Sequence, residues 1–276
     1  MRAVLPHLIF FAGATTLLAQ QPYQSPYSVK FTFPEKELTG DLSGPRGDGK
    51  KQSSIGYQSW YSADTQKRYG VWGPPAQHFP SPQGAGQKNA EWMRQRVIAT
   101  ALRFQGYRYQ HHHIPDWEPP AEWPYKPSPL GHQSKGLDCS NFTAFVYNLA
   151  LGLKPSGETK AQSEMTEVPG PGSNHTTKVV RIEKPADHAD FTKLLTTGDL
   201  LFITGQTSGE ITHVVLWVGK IGKSKNDVPL IIDSTGEGRK DEDGSAIPDG
   251  VQFRPFTPTS WYFRSASHAL RLIPEK

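Results

Sequence analysis

Ile211-Thr212-His213-Val214-Val215-Leu216-Trp217-Val218 alternates along its length, and period two places His213 on the face of Ile211, Val215 and Trp217. A polar ring in the middle of an apolar strand is either a satisfied core histidine or a working one. Around this strand lie others: Val179-Val180-Arg181-Ile182, Asp199-Leu200-Leu201-Phe202-Ile203 after a Gly198 turn, Leu230-Ile231-Ile232-Asp233, and Ala269-Leu270-Arg271-Leu272-Ile273. Glu237 to Gly250 is charged and glycine-rich, which reads as a surface loop. Upstream the period changes. Trp92, Val97, Ala101 and Phe104 recur at helical spacing on an Arg- and Gln-bearing segment from Ala90, with Gly106 placed to end it. A second helix opens near Asp138, carries Phe142, Phe145, Val146, Leu149 and Leu153 on one face, and has Gly152 near its end. Helices first and strands afterwards predict an α+β fold, with N-terminal helices packed on an antiparallel sheet or half-barrel.

Composition narrows what this fold serves. The 276 residues include 26 glycines and 24 prolines, so much of the chain is loop. Mean hydropathy is −0.57, which excludes a membrane bundle. Net charge is +4 with a pI near 9.0, a mild excess that favours anionic surfaces such as cell-wall polymer. No basic stripe with interleaved aromatics is visible, so no nucleic-acid partner is expected. Arg2 followed by the apolar run Leu8 to Leu18 and the small residue Ala19 reads as a cleaved secretory signal over 1–19. A secreted or periplasmic chain with no stable membrane insertion after cleavage is the expectation. Residues 20–88 are polar and turn-rich but carry aromatic islands, as an irregular arm packed on the main domain would; 89–276 is that domain. No internal repeat is visible, and a monomer is expected.

There is one cysteine. It excludes an internal disulfide and a Cys-rich zinc site, and in an exported chain a free thiol is a candidate nucleophile. Cys139 falls in the first turn of its helix, where unpaired N–H groups and the dipole favour a thiolate and face a developing oxyanion. Asp138 opposes this unless its carboxylate is taken up as the helix cap. A nucleophilic thiol needs a base. Among ten histidines, His213 is the one fixed in a strand; His188 lies in a charged segment and His268 near the C-terminus, both read as exposed. Asp233, at the end of a strand able to pair with that of His213, is placed to orient the ring.

These residues resemble a family. Asp138-Cys139-Ser140 with its amphipathic helix, then Gly198-Asp199-Leu200-Leu201-Phe202, then His213-Val214-Val215-Leu216-Trp217-Val218-Gly219 are similar to the NlpC-type cell-wall cysteine peptidases, a papain-like group. Gly106 to Tyr109 resembles that family's segment upstream of the nucleophile, and the resemblance runs from Ala90 to Ile273. It implies a papain-like half-barrel and hydrolysis of amide bonds in peptidoglycan stem peptides. Cys139 is then the nucleophile, His213 base and acid, Asp233 the orienter where a histidine is usual, and Tyr109, Asp138, Ser140 and His112 line the substrate and oxyanion region. Two departures stand out. Asn141 replaces the glycine that commonly follows the triplet, and His111-His112-His113 replaces a Trp-Gly-Gly stretch, so the usual cut between D-glutamate and the diamino acid is not carried over.

Other readings use the same residues. His111-His112-His113 with Asp116 and His132 offers metal-type ligands, but neighbouring residues on a strand point to opposite faces, so cleft lining is favoured and neither metal nor cofactor is expected. A catalytically silent wall-binding protein, or a thiol-dependent acyltransferase or amidase on a non-wall substrate, would show the same constellation.

Overall fold

The computed structural model describes residues 23–43, 59, 62–69, 77–109, 136–171, 175–236 and 238–275. The segment 1–19, read as a signal, and His111-His112-His113, Asp116 and His132 lie outside the described residues.

Six strands form one antiparallel sheet: β1 (Val180–Glu183), β2 (Leu200–Thr204), β3 (Ile211–Trp217), β4 (Leu230–Thr235), β5 (Gly250–Pro255) and β6 (Ala266–Arg271), in the order β5-β4-β3-β2-β6-β1. Helix α1 (Ala90–Leu102) and helix α2 (Cys139–Leu151) lie on one face of it. Leu200, Phe202, Val214, Leu216, Ile232, Val251 and Phe253 point to the helices and share a core with Val97, Phe104, Phe142 and Phe145. Leu201, Ile203, Val215, Trp217 and Ile231 point the other way, under Phe191, Phe256, Tyr262 and Phe263. Both faces are therefore buried, which explains why the strands read as apolar runs.

Three features depart from the sequence reading. β5 falls at and beyond the end of the stretch read as loop, and Ile247 within that stretch is buried. A bulge falls between Ile203 and Thr204, which pair with His213 and Ile211. The extra residue, Thr212, breaks the alternation, so Ile211 packs against the helix-side core while Val215 and Trp217 stay on the other face. His268 is not exposed: its ring stacks on Phe202 and its Nε2 meets the Ser163 carbonyl at 2.9 Å.

The polar side of α1 is buried as well, because the described parts of the N-terminal segment cover it. Arg96 forks onto Asp41 with two bonds of 2.7 Å and also donates to the Ala150 carbonyl. Gln95 accepts from the Thr32 N–H, and Ser28–Val29 pairs with Gly222–Lys223. Farther along, Asn148 of α2 clasps the backbone of Gln77 and Phe79. Gly152 ends α2 with φ +72°. A Cβ there would stand 2.6 Å from the Phe79 carbonyl oxygen, so both the backbone angle and the close approach require glycine.

Candidate active site

Asp138 is the N-cap of α2, accepting from the Asn141 backbone N–H at 2.8 Å and from the Asn141 side-chain amide at 2.8 Å. Its carboxylate is thus committed to the helix start rather than turned on the neighbouring thiol. Ser140 donates to the Gly157 carbonyl at 2.6 Å, which ties the same turn to the following loop. Asn141 lies against Gly157, where a Cβ would approach its side-chain oxygen to 2.8 Å. Cys139 opens the helix between them. It is largely buried, with Sγ 4.0 Å from the hydroxyl of Thr159, the first residue of helix α3 (Thr159–Ser163).

His213 reaches the same place from β3. Its Nε2 lies 2.7 Å from Asp233 Oδ2, which leaves Nδ1 for the thiol. The Cys139 side chain sits against the ring, close enough for its charge and hydrogen bonding to act on it. Burial by itself pulls the imidazole pKa down, but Cys139 and Asp233 outweigh it and push His213 up to about 10. The ring is built to carry a proton.

Asp233 is fully buried, and a carboxylate there needs partners. Three donors supply them. Arg254 Nε donates to Oδ1 at 2.7 Å, and Oδ2 accepts from the Tyr262 hydroxyl at 3.0 Å as well as from His213. Burial raises the Asp233 pKa, yet the Arg254 guanidinium and His213 hold it below the ordinary carboxylate range. Register explains the encounter. Arg254 of β5 pairs with Ile231 of β4, so it shares a face with Asp233 two residues on, and reaches it diagonally. Helix α4 (Trp261–Arg264) closes over this face, bringing the Tyr262 hydroxyl to the carboxylate and the Trp261 ring to 5.6 Å from His213. Arg239 stacks over both aromatic rings. Removing one partner of such a buried ion pair costs about 3–5 kcal/mol, since the other charge is stranded.

Tyr109 approaches from the short strand Arg108–Tyr109, which runs parallel to Gly136–Leu137 just before Asp138. Its hydroxyl is pushed up to about 12 by burial and by the charges of Cys139 and Asp138, so it stays protonated and can donate. Gly236 makes room for its ring: a Cβ there would lie 2.9 Å from it.

Of the residues selected from sequence, Cys139, His213, Asp233, Tyr109 and Asp138 converge. Ser140 is turned to Gly157, and His112 lies outside the described residues. Arg254 and Tyr262 carry no sequence signal of their own; the pairing of β5 with β4 and the return of α4 across the sheet bring them to the site.

Cys139, His213 and Asp233 thus form one contiguous thiol-imidazole-carboxylate arrangement. Residues 123–235, which include all three groups, match the model of the NlpC/P60 family. Members of that family are cell-wall peptidases. Among solved structures the chain is similar to an NlpC/P60 family protein from Bacillus cereus ATCC 10987, with 19% identity and a TM-score of 0.38, over 72% of this chain and 43% of that one. It is also similar to the NlpC/P60 domain of the peptidoglycan hydrolase SagA, with 18% identity and a TM-score of 0.35, over 63% of this chain and 95% of that one. A third is the P60 domain of the M. avium paratuberculosis antigen MAP1272c, with 13% identity and a TM-score of 0.37, over 68% and 97%. No curated protein matches the chain. Among the described residues no helix is long and apolar enough to cross a membrane.

Proposed function

We propose that the protein is an exported cysteine peptidase or amidase that hydrolyses amide bonds in peptidoglycan stem peptides. The observation that carries this is the continuous contact from Cys139 through His213 to Asp233. His213 holds the proton of Cys139 as an imidazolium, and the thiolate sulfur attacks the scissile carbonyl carbon. The oxyanion forms beside the start of α2, where helix N–H groups and the Tyr109 hydroxyl can donate. The imidazolium then returns its proton to the leaving amine, leaving a thioester on Cys139. Water attacks this acyl group, giving its proton to His213, and the acid leaves as sulfur regains the proton. Asp233 holds the ring and balances its charge without itself being protonated. Export rests on the basic-apolar-small pattern of residues 1–19, and the mild positive charge suits an anionic wall.

The test is digestion of purified peptidoglycan and of synthetic stem peptides by the full mature chain and by Cys139→Ala, with products identified by mass spectrometry. Release of peptides by the parent alone is expected. Equal release by both variants would end the thiol mechanism, and sedimentation of both with the wall without any release would leave a binding protein instead.

A further inference from the structure

We propose that Arg254 is a positioning residue of this site: it fixes Asp233 as a carboxylate, and through it sets the ring of His213 to present a basic nitrogen to Cys139. This rests on the reading of Cys139 and His213 as nucleophile and base. Arg254 lies beyond residues 123–235, so the family match does not include it.

Arg254 and Asp233 are both fully shielded from solvent and joined at 2.7 Å. The guanidinium is anchored at its other side as well, donating from Nη2 to the Pro248 carbonyl at 2.9 Å and the Gly250 carbonyl at 3.2 Å. It therefore cannot swing away, and Asp233 Oδ1 is held while Oδ2 faces His213 and Tyr262. The chemical consequence concerns the tautomer. A carboxylate only accepts, so His213 Nε2 must carry a hydrogen and, in the neutral ring, Nδ1 is left as the base. Without the cation, an acid in this apolar setting would hold its proton. A carboxylic acid can donate to Nε2, which moves the ring hydrogen to Nδ1 and leaves the thiol facing a nitrogen that cannot take its proton. The charged and titratable groups around the pair are Cys139 from α2, Asp233 from β4, Arg254 from β5 and Tyr262 from α4, with Arg239 over the Tyr262 ring and Tyr109 and Asp138 on the thiol side.

Because the chain has one cysteine, alkylation by iodoacetamide reads Cys139 alone and needs no substrate. Rates are to be measured from pH 5 to 10 on the full mature chain, each variant checked for a cooperative melt. Arg254→Met should react about tenfold or more slowly than the parent at pH 6 and converge with it at the alkaline end. Arg254→Lys, which keeps the charge, should stay within about threefold of the parent. If Arg254→Met does not fold, Asp233→Asn carries the test, since its amide can donate to Nε2 and the same loss is expected. An unchanged profile in a folded Arg254→Met or Asp233→Asn, or a Lys variant as slow as the Met variant, would overturn the proposal. A parent that alkylates as stated but cleaves no stem peptide would sink the proposed function and leave this inference standing.

Discussion

Asp233 and Ser234 are consecutive in β4 and face opposite sides of the sheet, the first bonded to His213 at 2.7 Å and the second donating to the Leu137 carbonyl. Leu137 stands two residues before Cys139. One strand thus supports both halves of the site, the base on one face and the approach to the nucleophile on the other.

Ser234→Ala removes the second support and leaves a buried carbonyl without its donor. A loss of about 1–3 kcal/mol is expected in urea denaturation. Turnover should fall while the pH at which Cys139 alkylation rises stays put, because the Asp233 side is untouched. Loss of neither stability nor turnover would show that the Leu137 segment is held by other contacts.

His213 makes stability depend on pH in a definable window. Its ordinary value of 6.5 is raised to about 10, against desolvation, by Cys139 and Asp233. A group raised on folding binds its proton more tightly in the native state, so its contribution is complete below about 6.5 and is lost as pH rises through about 10. Thermal melts of the parent and His213→Gln should differ most at pH 6 and draw together by pH 10. A gap that widens with pH would reverse the sign and refute a native imidazolium.

Gly152 and Gly84 both have positive φ, +72° and +73°, but only Gly152 is crowded. Gly84→Ala should cost about 1–2 kcal/mol for the backbone alone. Gly152→Ala adds a collision with the Phe79 carbonyl, and about 2–5 kcal/mol is expected in total. Equal losses in chemical denaturation would mean that the 77–81 segment yields freely.

Asp199, in the Gly198-Asp199-Leu200 motif, serves the fold. It caps the Thr196 N–H at 2.8 Å and receives the Arg271 fork at 3.0 and 2.8 Å, pinning β6 to the start of β2. Arg271→Leu should cost about 3 kcal/mol, with Cys139 alkylation unchanged below the melting transition. A shifted alkylation profile in the folded variant would assign Asp199 to the site instead.

Much of this was legible in order along the chain. Helical spacing from Ala90 and from Asp138, followed by apolar strands, specified the α+β fold because amphipathic periods are local properties. β5, Gly-Val-Gln-Phe-Arg-Pro, takes its strand character from pairing with β4 rather than from its own composition. The bulge at Thr212 was equally hidden: alternation in Ile211 to Val218 is clean as text, and the slip exists only against the neighbouring strand.

By itself the sequence determined the chemistry available: a single thiol at a helix start, a histidine embedded in an apolar strand, an acid closing another. These follow from residue type and period. The tertiary structure decided which charges are compensated. Whether Asp233 is ionised and whether His268 is exposed or packed depend on partners far away in the chain, because burial makes an unpaired charge intolerable and only folding brings Arg254 and Tyr262 to Asp233, and Phe202 and Ser163 to His268.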